Sequence, residues 1–123
     1  MKGFSFIELI LVVALILILS GMTTAFYSTF LTQNAVANTT DQLLGQFRKA
    51  QMYAMMGKRN GNWGVNFSSQ TITIYEGISY PGNATFETIT VNNNISVTGF
   101  TDINFSKITG EPNSAPTITI SGN

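Results

Sequence analysis

Glu8 is the residue whose chemistry stands out. It is a carboxylate set among Phe4, Phe6, Ile7, Leu9, Ile10 and Leu11, with Lys2 and the chain's own amine as the nearby cations. An ionised side chain in hydrocarbon costs roughly 2.5–3.5 kcal/mol at a helix centre. An ammonium partner recovers much of that cost. The blander alternative places Glu8 at a headgroup boundary. Elsewhere reactive groups are thin. The 123 residues include no Cys and no His, so a disulfide, a thiolate-held metal and the commonest general base are all excluded. There is no glycine loop of the phosphate-binding pattern. Glu76, Glu87 and Asp102 are the carboxylates that could meet around a calcium ion, but no liganding loop of regular spacing joins them, and surface charge is the better reading. No catalytic residue, cofactor or metal site is expected.

The element that must position Glu8 is apolar. Every residue from Leu9 to Leu19 is hydrophobic. Between Phe4 and Phe26 the interruptions are Ser5, Glu8, Ser20, Gly21, Thr23 and Thr24. That suffices for a bilayer core, which needs about 20 helical residues. A cleaved secretory signal fits poorly, because Thr24-Ala25-Phe26 is a weak small-x-small site. Nor does a cleaved signal need Glu8; a plain signal anchor is the bland alternative.

Gly3-Phe4-Ser5-Phe6-Ile7-Glu8-Leu9-Ile10 resembles the processing signal of type IV prepilins and pseudopilins: a short basic leader ending in glycine, then phenylalanine, then glutamate at its fixed spacing before a long apolar helix. The resemblance implies a leader at 1–3, a transmembrane and filament-core helix at 4–30, and a globular part at 31–123. It implies cleavage between Gly3 and Phe4 by a prepilin peptidase, with N-methylation of Phe4. It implies that Glu8 faces the Phe4 amine of a neighbouring subunit and so sets an axial register. Lys2 on the cytoplasmic flank agrees with the positive-inside tendency. Relatives of this type often carry a helix breaker near Gly21 that lets the segment stretch. Gly21 would take that role of helix flexibility, or would pack closely against a neighbouring helix.

From Val36 to Met56 the pattern turns amphipathic. Val36, Leu43, Phe47, Ala50 and Ala54 share one helical face, flanked by Leu44, Gln51 and Met55, with Asp41, Gln42, Gln46, Arg48 and Lys49 mostly elsewhere. Gly57 before Lys58-Arg59 reads as a helix stop. The stretch from Leu43 to Ala54 also resembles the second half of the first helix in minor pseudopilins. After Asn60 the period becomes two. Trp63 to Phe67 and Thr71 to Tyr75 read as a hairpin. Phe86 to Val91 and Ile95 to Val97 read as a second pair around Asn92-Asn93-Asn94, with a loop at Tyr80-Pro81-Gly82-Asn83. Ile103 to Phe105 and Thr117 to Ser121 supply the remaining strands, the last leaving a sheet edge open. The expected fold is α+β: a long N-terminal helix whose second half covers a small antiparallel sheet.

Charge is balanced, with six Lys+Arg and six Asp+Glu, so no nucleic-acid partner is expected; Arg48, Lys49, Lys58 and Arg59 read as a solvated face and helix-end charges. Asn-x-Ser/Thr sequons at Asn38, Asn66, Asn83, Asn94 and Asn104 follow largely from composition. The leading expectation is a pilus-like filament subunit, held in the inner membrane by one span before assembly and afterwards in an extracellular or periplasmic filament. Its partners would be copies of itself or other pilins, the peptidase and the membrane. A minor pilin or type II secretion pseudopilin priming assembly at the tip is the alternative within the family. A monomeric membrane-anchored binding module is the alternative of another class.

Overall fold

A computed structural model describes residues 3–123; of the expected leader, Met1 and Lys2 lie outside the described residues. A single helix, α1 (Phe6–Met55), runs for 50 residues, about 75 Å at 1.5 Å per residue. Its two halves have opposite surroundings. From Phe6 to Leu31 every side chain is exposed, whereas Thr39, Leu43, Gln46, Ala50 and Ala54 are buried. The expected α+β arrangement is the one observed. α1 passes through Gly21 without a break, and a Cβ placed there would meet nothing within 4 Å. The hydroxyls of Thr23, Ser28 and Thr29 donate back to carbonyls one turn earlier, so these weak helix formers do not compete for the ladder.

The helix stops where Gly57 takes a left-handed backbone (φ 61°), a conformation without steric cost for glycine. A 3₁₀ turn (Lys58–Asn60) follows. Strands β1 (Trp63–Ser68) and β2 (Thr71–Glu76) then form the expected hairpin, in register from Trp63 opposite Glu76 to Ser68 opposite Thr71. β3 (Ala84–Thr90), β4 (Ile95–Thr98), β5 (Asp102–Phe105) and β6 (Thr119–Gly122) complete the chain. The loop before β3 contains a cis Tyr80–Pro81 bond.

The pairing departs from the sequence reading in one respect. Phe86 to Val91 and Ile95 to Val97 do not pair with each other. β3 pairs with β2, giving a four-stranded antiparallel sheet of order β3-β2-β1-β5, and β4 pairs with β6 in a separate two-stranded sheet. Between β3 and β4 the chain turns at Asn92, where Asn94 N–H donates to Asn92 Oδ1 and Ile95 N–H to Asn92 O. Ile95 and Val97 are buried beneath the helix. The last strand is not an open edge of the main sheet. The outer side of β5 is covered instead by a bridge from Phe105 to Pro112 and by bonds between Asn104 and Asn113.

The core lies between the second half of α1 and the two sheets. Leu43, Ala50 and Ala54 meet Trp63, Val65, Ile72, Ile74, Val91, Ile95, Ile103 and Phe105. Of the expected helical face, Leu43, Ala50 and Ala54 are buried, Val36 and Phe47 are partly so, and the flanking Leu44 and Met55 stay exposed. Gln46 was expected away from this face but is buried; its Nε2 donates to Glu87 Oε1 on β3 at 3.4 Å.

Candidate functional site

Glu8, expected from the resemblance to act in assembly, lies on the first turn of α1. Ser5 holds the extended N-cap conformation, and its carbonyl accepts from Glu8 N–H at 3.0 Å and Leu9 N–H at 3.2 Å. Glu8 therefore stands at the third helical position. Ser5-x-x-Glu8 has the capping-box spacing, a signal the sequence reading passed over. The Ser5 side chain makes no cap bond, however. The Glu8 carboxylate lies near the positive end of the helix dipole, which is worth about 0.3–1 kcal/mol. That is well below the roughly 2.5–3.5 kcal/mol cost of a charge in hydrocarbon at a helix centre. Helix position alone does not offset the cost of a lipid setting, and an added counter-charge would.

Within the described chain Glu8 is exposed and has no side-chain ion pair. From Phe4 to Thr40 it is the sole charged residue. Gly3 and Phe4 precede the helix, and the Phe4 ring is 84% exposed. Gly3, Phe4 and Glu8 thus lie within one turn's reach at the helix start, while Gly21 lies four turns further on. Around them Ile7, Leu11, Leu15, Ile18 and Met22 are all more than half exposed. α1 is long and apolar enough to cross a membrane.

The carboxylates weighed as a calcium set are not brought together. Glu76 pairs with Arg59 at 3.5 Å, Glu87 pairs with Lys49, and Asp102 Oδ1 accepts from the Tyr75 hydroxyl at 2.7 Å. Among the described residues no cluster of acids has a metal-binding arrangement. Each is committed to holding the fold. The hydrogen bond from Lys49 holds the Glu87 carboxyl below its usual range, and the same bond raises the Lys49 ammonium. Burial of Tyr75, together with its bond to Asp102, pushes the phenol well above its ordinary value.

Of the basic residues, Arg48 is exposed, Lys49 and Arg59 pair with carboxylates, and Lys58 lies over aromatic rings. Lys58 Nζ lies 3.7 Å from the centre of the Tyr53 ring, 4.1 Å from Phe86 and 5.5 Å from Trp63. These rings stand edge-to-face at 4.9–5.7 Å, and the Trp63 indole donates to the Lys58 carbonyl. The cation so placed locks the chain reversal at the helix end rather than forming part of a basic patch.

Comparison of the chain with protein-family models, with curated proteins and with solved structures finds no match.

Proposed function

We propose that this chain is a type IV pilin-like subunit, trimmed between Gly3 and Phe4 and polymerised through the first half of α1. The observation that carries this reading is one uninterrupted helix with two characters: an exposed apolar half bearing Glu8 alone, and a half that buries against its own sheets. An exposed apolar surface of that extent is unstable in water and marks a membrane or interaction face. A membrane span satisfies it before assembly, and neighbouring helices satisfy it afterwards. Glu8 then pairs with the Phe4 amine of an adjacent subunit, and the pair favours one axial offset among helices that otherwise offer uniform apolar contact.

Intact mass of the protein from its native membrane, paired with electron microscopy of wild type and Glu8→Ala, tests the proposal. The expected result is a chain beginning at N-methylated Phe4 and filaments that disappear in the variant. Processing without filaments built from this chain would assign it to the minor pilins or pseudopilins, a branch favoured by the Leu43 to Ala54 helix face and the small cysteine-free globular part. An unprocessed chain indifferent to Glu8→Ala would refute the reading and leave a membrane-anchored binding module.

A further inference from the structure

We propose that the groove between the Asn60–Asn62 turn and the Gly77–Asn83 loop is a binding site for neutral carbohydrate. The groove measures about 570 Å³, within the range of small-molecule sites. It lies beyond the C-terminal end of α1, roughly 35 Å along the helix from Leu31, so the exposed apolar half of the chain plays no part in it.

Its chemistry is neutral and polar. Asn60, Asn62, Asn83 and Ser79 line it with backbone of Gly77 and Gly82, and no charged side chain is among its walls. Asn60 Oδ1 accepts from the Lys107 ammonium and Asn62 Oδ1 from the Lys107 backbone N–H. Both amide oxygens are therefore engaged, which leaves the two NH₂ groups as donors. The Asn83 side chain has no hydrogen bond among the described residues. Amides of this kind match hydroxyl groups, which both donate and accept, and the nearby charges, the Lys107 ammonium on Asn60 and the Glu76 carboxylate beside Gly61, are of opposite sign.

The loop is pre-formed. Gly77 N–H donates to Asn62 O at 2.9 Å and Asn83 N–H to Glu76 O at 2.7 Å, while Asn104 Nδ2 holds the Gly77 carbonyl. A Cβ on Gly77 (φ 141°) would come within 2.9 Å of the Gly82 backbone, so the two ends of the loop are pressed together. Such a site loses little entropy on binding. Tyr80 lies between the lining residues Ser79 and Pro81 without itself lining the groove; it is 42% exposed, and its ring is set at a steep angle to that of the buried Tyr75, 5.6 Å between centroids. Ile78 beside it is 81% exposed. An aromatic ring with a polar tip, held on the loop that bounds the amide donors, suits a sugar ring, which has an apolar C–H face and a hydroxyl rim.

The experiment is a titration of the full-length chain in detergent with N,N′-diacetylchitobiose, lactose and maltotriose, and with sialylated and sulfated lactose, followed by calorimetry. Saturable binding of at least one neutral sugar is expected. Tyr80→Ala and Asn83→Ala should each weaken it about tenfold or more, Tyr80→Phe should retain it, and the unfolding midpoint of each variant should report an intact fold. Three results would each overturn the proposal: no saturation by about 10 mM sugar, binding equal in wild type and the folded variants, or preference for the anionic sugars. Filament formation is irrelevant to this assay, so the pilin reading can fail without touching it.

Discussion

Replacing Tyr75 by Phe removes one hydroxyl from the most buried polar network in the globular part. Tyr75 is wholly inaccessible, its ring packs directly over Gly64 on the neighbouring strand, and its hydroxyl donates to Asp102 Oδ1 at 2.7 Å. Asn104 Nδ2 donates to the Tyr75 hydroxyl oxygen at 3.4 Å. Hydrogen bonds to charged groups contribute about 1.5–3 kcal/mol, so Tyr75→Phe should lose that amount near pH 8. The pH dependence gives a sharper test. Burial and the bond to Asp102 raise the folded-state phenol pKa, so above about pH 10 the unfolded chain releases this proton while the folded chain keeps it. The unfolded state then binds fewer protons, and stability falls with rising pH by about 1.4 kcal/mol per unit. The contribution is complete below pH 10 and is lost as pH climbs toward the raised folded value. Tyr75→Phe lacks the group, so its deficit should shrink above about pH 10 and vanish within roughly one to two further units. Equilibrium urea unfolding of the full chain in detergent, followed by fluorescence of the single Trp63, reads this directly, because Trp63 is in the core and α1's apolar half is silent. A loss below about 0.5 kcal/mol, or a deficit constant from pH 8 to 12, would refute the network's assigned role.

Three other substitutions address separate links. Gly64→Ala would drive a Cβ into the Tyr75 ring; overpacking of this kind should cost about 1–3 kcal/mol in the same urea assay. Lys58→Met keeps the aliphatic stem but removes the cation from the Tyr53, Phe86 and Trp63 rings, and a loss of about 0.5–2 kcal/mol is expected, measured as a lower unfolding midpoint. Glu87→Gln removes a carboxyl whose pKa is lowered chiefly by its hydrogen bond from Lys49. That contribution is present above the ordinary carboxylate pKa of about 4.3 and is lost as pH falls through the folded value, so the variant should show a flatter acid limb of stability and near wild-type behaviour at high salt.

The elements were legible where the period of the side chains decided them. Leu43, Ala50 and Ala54 share a face because 3.6 residues make a turn, and the Trp63 to Tyr75 hairpin follows from strict alternation around Ser68-Ser69-Gln70. Alternation does not name a partner, however. β3 and β4 carry the same pattern whether paired with each other or with β2 and β6, and the partners are chosen by packing between distant segments, which periodicity does not show. Gln46 was misplaced for a related reason: its polarity suggests solvent, yet Glu87 from a distant strand offers it a partner inside. Glu8 stands out in the sequence by its apolar setting alone. The groove beside Tyr80 was not, since Asn60 and Asn83 are 23 positions apart by number and meet through the Gly77 loop; the sequence signalled only a turn.

The long helix makes the globular part and the apolar half energetically separate. No side chain from Phe6 to Leu31 is buried, so substitutions there should leave the unfolding of the sheets unchanged, as distant sites with no shared partner do. Whatever covers that surface lies outside the chain. Lipid covers apolar area without discriminating among positions along a helix, and a neighbouring helix of the same composition hardly does better, since lipid tails and Leu are alike in polarity. A single carboxylate changes this. Slid by one turn, about 5.4 Å, two apolar helices exchange one set of aliphatic contacts for an equivalent set, but Glu8 loses any ammonium set against it. On the proposed reading, Glu8 and the Phe4 amine set against it carry most of the axial register, with Ser20-Gly21 and Thr23-Thr24 as the other interruptions of the apolar half, and Glu8→Ala should separate ordered assembly from mere membrane residence.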